Sequence, residues 1–296
     1  MAIKALYGLP APAKLNLFLH IIGRRADGYH LLQSPFVLID WADTLHFERR
    51  EDGQLRRHDL GAALPADDLC LRAARALQSA SGCPLGADIS IDKQVPWGAG
   101  MGGGSSDAAT TLLALNRLWN LAWPRQHLLA LAATLGADVP FFVGGNNAFV
   151  EGVGEQLTPI DLPRTWYAVV KPANSIATQD IFGHVKLIRN SEPVILMGYL
   201  SGTGSDLKAE SFGRNDLQLV AEEMCPAVAE VAAWLQAHFG NSRMTGSGSA
   251  VFARAGTGDQ PLAILPETFP SSESEPGWVG RMCRSLVHHP LLEWAG

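Results

Sequence analysis

PWGAGMGGGSSD, at residues 96–107, places five glycines within seven positions, directly before the apolar segment AATTLLALNRLW. Glycine lets the backbone adopt positive φ and approach a ligand closely, and the free N–H groups at a helix start favour an anion. The strand-like segment ADISID, residues 87–92, precedes this stretch. We therefore predict a strand, a phosphate-binding loop and a helix, in that order. A flexible linker is the alternative, but linkers do not usually lead straight into an apolar helix.

The loop belongs to neither of the two commonest phosphate-binding motifs. No lysine follows its last glycine, as GxxxxGK[ST] requires, and no short strand–helix–strand unit ending in an acid follows it, as a dinucleotide fingerprint requires. The chemistry of the loop thus indicates phosphate, while the motif itself indicates neither a P-loop enzyme nor a dinucleotide enzyme.

The length and composition of the chain indicate a globular α+β protein of two domains. The 296 residues are 47% hydrophobic and 18% charged, which is typical of folded proteins. Prolines and a shift in polarity near residues 159–163 place the expected boundary at about residue 160, giving domains 1–160 and 161–296. The net charge of −6 argues against a nucleic-acid partner. Four dispersed cysteines without a CxxC pair predict reduced thiols and no metal site, and the chain has no apparent leader or membrane span, so we expect a cytoplasmic protein.

Hydrophobic periodicity gives a coarse secondary structure for the chain. It predicts strands at residues 13–22, 34–39, 87–92, 148–151, 166–171 and 278–284. It predicts helices at residues 67–79, 108–119, 124–135 and 216–238. Ser105, Ser106 and Asp107 form a capping string before the second helix. A glycine-rich turn is expected at residues 246–248 and a polar loop at residues 266–277.

Two charged residues lie in apolar surroundings. Asp138 lies in an apolar window two residues before Pro140, so it is either a helix cap or a functional carboxylate, and the residues alone leave both open. Lys14 lies in a strand-like segment, where a lysine that extends to solvent from the sheet edge is the plain alternative to a functional cation.

Four segments together resemble the GHMP small-molecule kinases. They are PAKLNLFLHIIGRRADGYHLLQS at 12–34, PWGAGMGGGSSDAA at 96–109, LGADVPFFVGG at 135–145 and TGSGSAVFA at 245–253. The resemblance implies an α+β fold of two domains, the first like ribosomal protein S5 domain 2 and the second ferredoxin-like, with the active site in the cleft between them. It also implies ATP as phosphoryl donor, with Mg²⁺. The opening segment is most similar to the member that phosphorylates the 2-hydroxyl of a cytidyl-diphospho sugar alcohol in the non-mevalonate route to isoprenoid precursors.

The resemblance also assigns site residues. Asp138 matches the catalytic base of the family, and Lys14 matches the partner that would keep the carboxylate ionised and favour the incipient alkoxide. On the acceptor side, the implied contacts are Asn16, Tyr29 and His30, with Phe182 as a candidate for the opposite stacking wall. The residues expected at the nucleotide are Lys93, Pro96, Gly98, Ala99, Gly100, Met101, Gly102, Gly103, Gly104, Ser105 and Ser106. For Lys93, which precedes the loop, a solvated strand end is the alternative.

Two positions depart from the pattern of the family. Asp68 stands where an asparagine on the adenine side is expected, and Met101 replaces a leucine of the loop at similar size. The alternatives are a GHMP kinase for mevalonate, homoserine or a sugar, or a non-catalytic nucleotide-binding or RNA-associated protein. The segment GRRADGYH favours the cytidyl acceptor, and the acidic balance argues against RNA. We expect a monomer or a homodimer.

Overall fold

A computed structural model describes residues 3–202, 213–269 and 277–295, and it contains two β-sheets with helices packed on them. The strands of the first sheet are β1 Ala5–Asn16, β2 His20–Arg24, β3 His30–Arg50, β4 Leu55–Asp59, β5 Gly86–Asp92, β6 Ala148–Glu151 and β7 Gln156–Pro159. Those of the second are β8 Thr165–Lys171, β9 Arg243–Met244, β10 Val251–Thr257 and β11 Val279–Arg284. The helices are α1 Leu69–Ser81, α2 Gly103–Leu118, α3 Arg125–Ala133, α4 Val139–Gly144, α5 Thr178–Gly183, α6 Leu196–Gly202, α7 Gln218–Met224 and α8 Pro226–Phe239, followed by a 3₁₀ turn at Leu292–Trp294.

The first sheet is organised around its longest strand, β3. The order β4-β5-β3-β6-β7 runs through it, and β1 and β2 also pair with it. All pairs are antiparallel except β4 with β5. Helices α1, α2 and α4 supply the other side of the core, and α2 is buried on nearly every face. The expected strand, loop and helix are thus present as β5, the glycine loop (residues 96–104) and α2.

The strand expectations needed two corrections in this sheet. The single strand expected at residues 13–22 is two strands, because β1 ends at Asn16 and β2 begins at His20. Between them Leu19 leaves the sheet and bridges to Asn215 of the second half. The strand expected at residues 34–39 extends over residues 30–50, since pairing with several neighbours continues it beyond its apolar segment.

The second sheet has the order β11-β8-β10-β9 and is covered by α7 and α8. One helix was expected over residues 216–238, but the chain forms two. Cys225 is extended, and Pro226, which has no N–H to donate, occupies the first turn of α8. Of the polar loop expected at residues 266–277, residues 270–276 lie outside the described part of the chain.

The chain end returns to the first half of the molecule. Leu291 and Ala295 are buried in the core of the first sheet, although they follow the last strand of the second. The two sheets lie on either side of residue 160, and a domain boundary there stays a prediction. Among the helices of the described ranges, none has the length and apolar character that crossing a membrane requires.

Candidate active site

The glycine loop wraps the start of α2 with its backbone. Gly98, Gly100 and Gly102 all have positive φ, between 59° and 71°, which residues with side chains rarely adopt. Helix α2 begins at Gly103, and Gly102 occupies the N-cap position with no side-chain cap. The expectation that Ser105, Ser106 and Asp107 cap this helix is therefore wrong, because they lie inside its first turns. The N–H groups of the helix start remain available to an anion.

The glycine loop is joined by backbone hydrogen bonds to the segment 245–250. Ser249 N–H donates to Gly98 O at 3.0 Å, and Ala250 N–H donates to Ala99 O at 3.2 Å. A Cβ atom placed on Gly246 would lie 2.6 Å from Gly100 O, so the two backbones leave no room for a side chain there. The predicted turn at residues 246–248 thus packs directly on the loop.

Lys14 and Asp138 form an ion pair beside the loop. The distance from Lys14 Nζ to Asp138 Oδ2 is 3.5 Å; the lysine side chain is 4% exposed and that of the aspartate 30%. Burial lowers the pKa of Lys14, and the Asp138 carboxylate opposes this shift. Asp138 precedes α4 at its N-cap position but makes no side-chain cap hydrogen bond. Its carboxylate therefore remains available to a ligand, and Lys14 does not extend to solvent.

Asn16 is held in a network that links three parts of the sequence. Its Oδ1 accepts from Lys14 Nζ, and its Nδ2 donates to Ser34 Oγ at 2.8 Å. Its backbone N–H donates to Thr245 Oγ1 at 2.9 Å. Lys14 N–H in turn donates to Met101 O of the glycine loop at 3.0 Å. The opening segment, the loop and the segment 245–250 are therefore fixed relative to one another.

A cavity of about 710 Å³ reaches the segment that contains Asp138, through its neighbour Ala137. Tyr29, His30 and Phe182 line it, and so does Ala137, the neighbour of Asp138. The rings of His30 and Phe182 are 5.2 Å apart between centroids, while Tyr29 is 64% exposed. We call this space the aromatic cavity. Its rings and its opening suit a flat heterocycle.

Lys93 lies in a buried cluster next to the loop. Its Nζ donates to Asp43 Oδ2 and, at 2.7 Å, to Asp107 Oδ2. Burial acts to lower the pKa of Lys93, but the carboxylates of Asp107 and Asp43 outweigh burial and raise it. A Cβ atom placed on Gly103, the first residue of α2, would lie 3.4 Å from Lys93 Nζ. The cluster is therefore adjacent to the loop where the loop enters α2. Lys93 is thus neither a solvated strand end nor free of carboxylate partners.

Two polar atoms near the start of α2 are buried without a partner in the described part of the chain. They are Ser106 Oγ and Asp107 Oδ1. Burial raises the pKa of Asp107 to about 8; Lys93 opposes this shift and Asp43 adds to it. Unpartnered buried oxygen atoms beside the glycine loop are suited to a bound group that the protein alone does not supply.

Asp68, the position that departs from the family pattern, caps α1. Its Oδ1 accepts from Leu71 N–H at 3.0 Å and lies 3.0 Å from Arg57 Nη1. The cap and the arginine account for an acid at this position, and whether it also contacts adenine stays a prediction.

The structure adds site neighbours that the sequence did not indicate. Asp43, Ser34 and Arg189 contact Lys93, Asn16 and His30, respectively, from positions between 18 and 159 residues away in the chain. Sequence patterns detect residues close in the chain, so these tertiary partners carried no signal. Ser34 and Thr245 lie within the segments 12–34 and 245–253 that resemble the family, but neither had a predicted role.

Family models match both halves of the chain. The model described as GHMP kinases N terminal domain matches residues 68–146, and the model described as GHMP kinases C terminal matches residues 195–267. The α+β fold with two GHMP kinase parts is thereby confirmed.

Close relatives carry one name. A 4-diphosphocytidyl-2-C-methyl-D-erythritol kinase of Methylibium petroleiphilum is 63% identical and is aligned over the full length of both chains. One from Polaromonas naphthalenivorans is 53% identical over 99% of this chain and 97% of its own. A crystal structure of 4-(cytidine 5′-diphospho)-2C-methyl-D-erythritol kinase has a TM-score of 0.71 at 37% identity, covering 83% of this chain and 89% of that one. The Methanococcus jannaschii mevalonate kinase, at 14% identity and a TM-score of 0.65, shares the fold.

Proposed function

The chain belongs to the 4-diphosphocytidyl-2-C-methyl-D-erythritol kinases, a family of GHMP kinases, and from this premise we propose its reaction and the residues that perform it. The enzyme transfers the γ-phosphoryl group of ATP to the 2-hydroxyl of 4-diphosphocytidyl-2-C-methyl-D-erythritol. This step belongs to the non-mevalonate route to isoprenoid precursors. Asp138 acts as general base and Lys14 as its electrostatic partner.

The observation that carries the proposal is the position of the Lys14–Asp138 pair. Asp138 follows Ala137, which lines the aromatic cavity, while Lys14 borders the glycine loop. A Cβ atom on Gly102 would lie 3.4 Å from Lys14 Cε, so the cation is adjacent to the loop backbone. A carboxylate with this placement lies between a site for a heterocyclic acceptor and a site for phosphates. Phosphoryl transfer requires this order of parts.

The mechanism relies on position and charge. The N–H groups at the start of α2 and of the glycine loop bind the phosphates of ATP. Asp138 accepts the proton of the attacking hydroxyl, whose oxygen bonds to the γ-phosphorus as the bond from the γ-phosphorus to the bridging oxygen of ADP breaks. Lys14 stabilises the negative charge that develops on the attacking oxygen. Asn16 holds the Lys14 ammonium in place, because its Oδ1 accepts a hydrogen bond from Nζ.

The aromatic cavity binds the cytidyl group of the acceptor. Tyr29 and Phe182 offer rings for stacking on cytosine, and His30 offers a ring nitrogen for its polar edge. A mevalonate or homoserine acceptor has no flat ring to place between these side chains. The cavity therefore supports the cytidyl acceptor over the other substrates of the superfamily.

The residues at the start of α2 fit a Mg²⁺ ion that arrives with ATP. In the described ranges no three His, Cys, Asp or Glu residues form a metal cluster, so the phosphates would supply most ligands. Ser106 Oγ is a buried oxygen atom without a partner in the described part of the chain, and Ser105 is its neighbour in the first turn. When bound, Mg²⁺ would neutralise phosphate charge during transfer.

An acceptor-resolved kinase assay on Asp138→Asn tests the proposal. Loss of the base should lower kcat by about 10²–10⁴-fold, with little change in the KM for ATP. Asp259→Asn is the matched control, because its carboxylate is 99% exposed and pairs only with Arg284 in the described structure. ADP release is measured with 4-diphosphocytidyl-2-C-methyl-D-erythritol, mevalonate, homoserine and galactose. Two results would contradict the proposed reaction. In one, the wild-type enzyme turns over one of the other acceptors but not 4-diphosphocytidyl-2-C-methyl-D-erythritol; in the other, Asp138→Asn keeps a near-normal kcat.

A further inference from the structure

Arg189 bridges two walls of the aromatic cavity. It is half-buried, and its Nε donates to His30 Nε2 at 3.1 Å. Its Nη2 donates to Phe182 O at 3.2 Å. His30 comes from β3 and Phe182 from α5, so one side chain connects elements about 150 residues apart in the chain. The planar guanidinium therefore sets the distance and the orientation between two sides of the cavity.

The remaining donors of Arg189 fix its own position. Nη1 donates to Leu187 O at 3.1 Å, and Nη2 also donates to His184 O at 2.9 Å. Four acceptors are thus arranged around one rigid fork. A lysine offers three donors from a single point and does not satisfy four acceptors in this arrangement.

The contact with Arg189 determines which nitrogen of His30 carries the proton. A guanidinium only donates, so Nε2 of the imidazole must accept, and the single proton of the neutral ring is on Nδ1. Burial, Arg189 and Arg24, in that order, lower the pKa of His30, which keeps the ring neutral. Asp27 and Tyr29 are the other titratable groups that line the cavity with this ring and Arg24. Nδ1 has no protein partner in the ranges that the structure describes, and it is left to bind a ligand.

We propose that Arg189 is a positioning residue that makes His30 present an Nδ1–H donor to the base of the acceptor, and thereby selects cytosine over uracil. Cytosine has an acceptor at N3, whereas uracil has an N–H there. A fixed donor therefore pairs with cytosine and opposes uracil, and an unpaired or opposed polar contact in a pocket disfavours the wrong base. This inference rests on the proposed function, since it takes the cavity to be the cytidyl site.

The tautomer of His30 is measured first on the wild-type enzyme, which avoids any effect of a substitution on folding. Nitrogen-15 NMR of the histidine rings should show His30 with a protonated Nδ1 and an unprotonated Nε2 at neutral pH. The His30 signals are assigned by their loss in His30→Gln. A His30 ring protonated at Nε2 alone would overturn the proposal.

Kinetics of Arg189→Lys and Arg189→Gln then test the positioning role. Both variants should raise the KM for the cytidyl substrate about tenfold, with smaller changes in kcat and in the KM for ATP. The ratio of kcat/KM for this substrate to kcat/KM for its uridine analogue should fall by a similar factor. Lys186→Met is the matched control, because Lys186 lies in the same segment and pairs with Glu223 outside the cavity.

The outcomes separate this proposal from the proposed function. If the cytidyl substrate leaves the wild-type His30 signals unchanged, the aromatic cavity is not the cytidyl site. The proposed role of the cavity and the proposed role of Arg189 then both fail. If the substrate shifts those signals but Arg189→Lys and Arg189→Gln keep the wild-type preference for cytidine, the proposed function stands and the role of Arg189 is overturned. If the preference narrows in these two variants and not in Lys186→Met, the role of Arg189 is supported.

Discussion

At the residue scale, charge is concentrated behind the glycine loop, in the cluster of Asp43, Lys93 and Asp107. Two buried carboxylates share one lysine, so the cluster is short of one positive charge. Asp43 Oδ1 also accepts backbone N–H groups from Gln94 and Val95, at 2.6 and 2.7 Å. Burial raises the pKa of Asp107 to about 8, so the extra proton lies on Asp107.

Substitution of Asp107 by asparagine should change how stability depends on pH. The pKa of Asp107 in the folded protein is about 8, above its ordinary value of 3.8. Between about pH 4 and pH 8 the folded state therefore binds more protons than the unfolded state. The contribution of this group to stability is present below about pH 4 and is lost as the pH rises through about 8. Relative to Asp107→Asn, the wild type should lose up to about 1.4 kcal/mol of unfolding free energy per pH unit there. Urea denaturation at several pH values measures the difference.

The control for this experiment is Asp161→Asn, which neutralises an exposed carboxylate in the connection between the two sheets. Parallel stability curves for wild type and Asp107→Asn between pH 5 and 8 would show that Asp107 is not the group that retains a proton.

Single site residues were predictable from the sequence where the signal is local, and their partners were not where these lie far away in the chain. Asp138 was recognisable as a charge in an apolar window, and its pairing with Lys14 followed from the resemblance to a family. The partners of Lys93 were not recognisable, because Asp43 meets it only when β3 pairs with β5. A salt bridge across a sheet has no local signature.

At the element scale, the glycine loop depends on positions that exclude a side chain. Gly100 has φ +71°, and a Cβ atom there would lie 2.3 Å from Thr245 O, a backbone atom that has little freedom to move. Gly100→Ala should therefore reduce stability by about 2–4 kcal/mol through backbone strain and overpacking. It should also raise the KM for ATP. Thermal denaturation and steady-state kinetics measure both effects.

Gly104→Ala is the matched substitution in the same motif. Among the residues that the structure describes, its Cβ atom would meet only Leu69 Cδ1, at 3.8 Å, and the residue lies inside α2. Alanine is favoured over glycine within a helix by roughly 0.5–1 kcal/mol, so this variant should melt at or above the temperature of the wild type. Equal losses of stability in the two variants would contradict the steric account.

Elements were predictable where local pattern and tertiary pairing agree. The strand at residues 86–92, the glycine loop and α2 follow from composition and periodicity. The long β3 and the short β4 and β7 did not, since pairing with neighbouring strands decides their ends. The break between α7 and α8 had a local signal in Pro226, but the apolar pattern on both sides concealed it.

At the scale of the whole molecule, residues that follow the second sheet in the chain pack against the core of the first. His289 N–H donates to Gly145 O at 2.7 Å, just after α4, and burial lowers the pKa of its imidazole to about 4, with Arg125 acting in the same direction. Arg125 donates through its guanidinium to Val143 O and Leu292 O and, at 2.8 Å, to Ala295 O. One partly buried cation therefore joins α3, the end of α4 and the last residues of the chain.

Arg125→Met should consequently destabilise the whole protein. The substitution keeps an apolar stem but leaves three backbone carbonyls without their donor, at a cost of about 3 kcal/mol. Arg117→Met is the matched control, because within residues 277–295 the Arg117 guanidinium has one recorded contact, with the ring of Trp294, 4.6 Å from its centroid. That contact contributes about 0.5–1 kcal/mol. Chemical denaturation should show one cooperative transition with a clearly lower midpoint for Arg125→Met alone. Similar midpoints for both variants would mean that the carbonyl contacts of Arg125 do not hold the chain end.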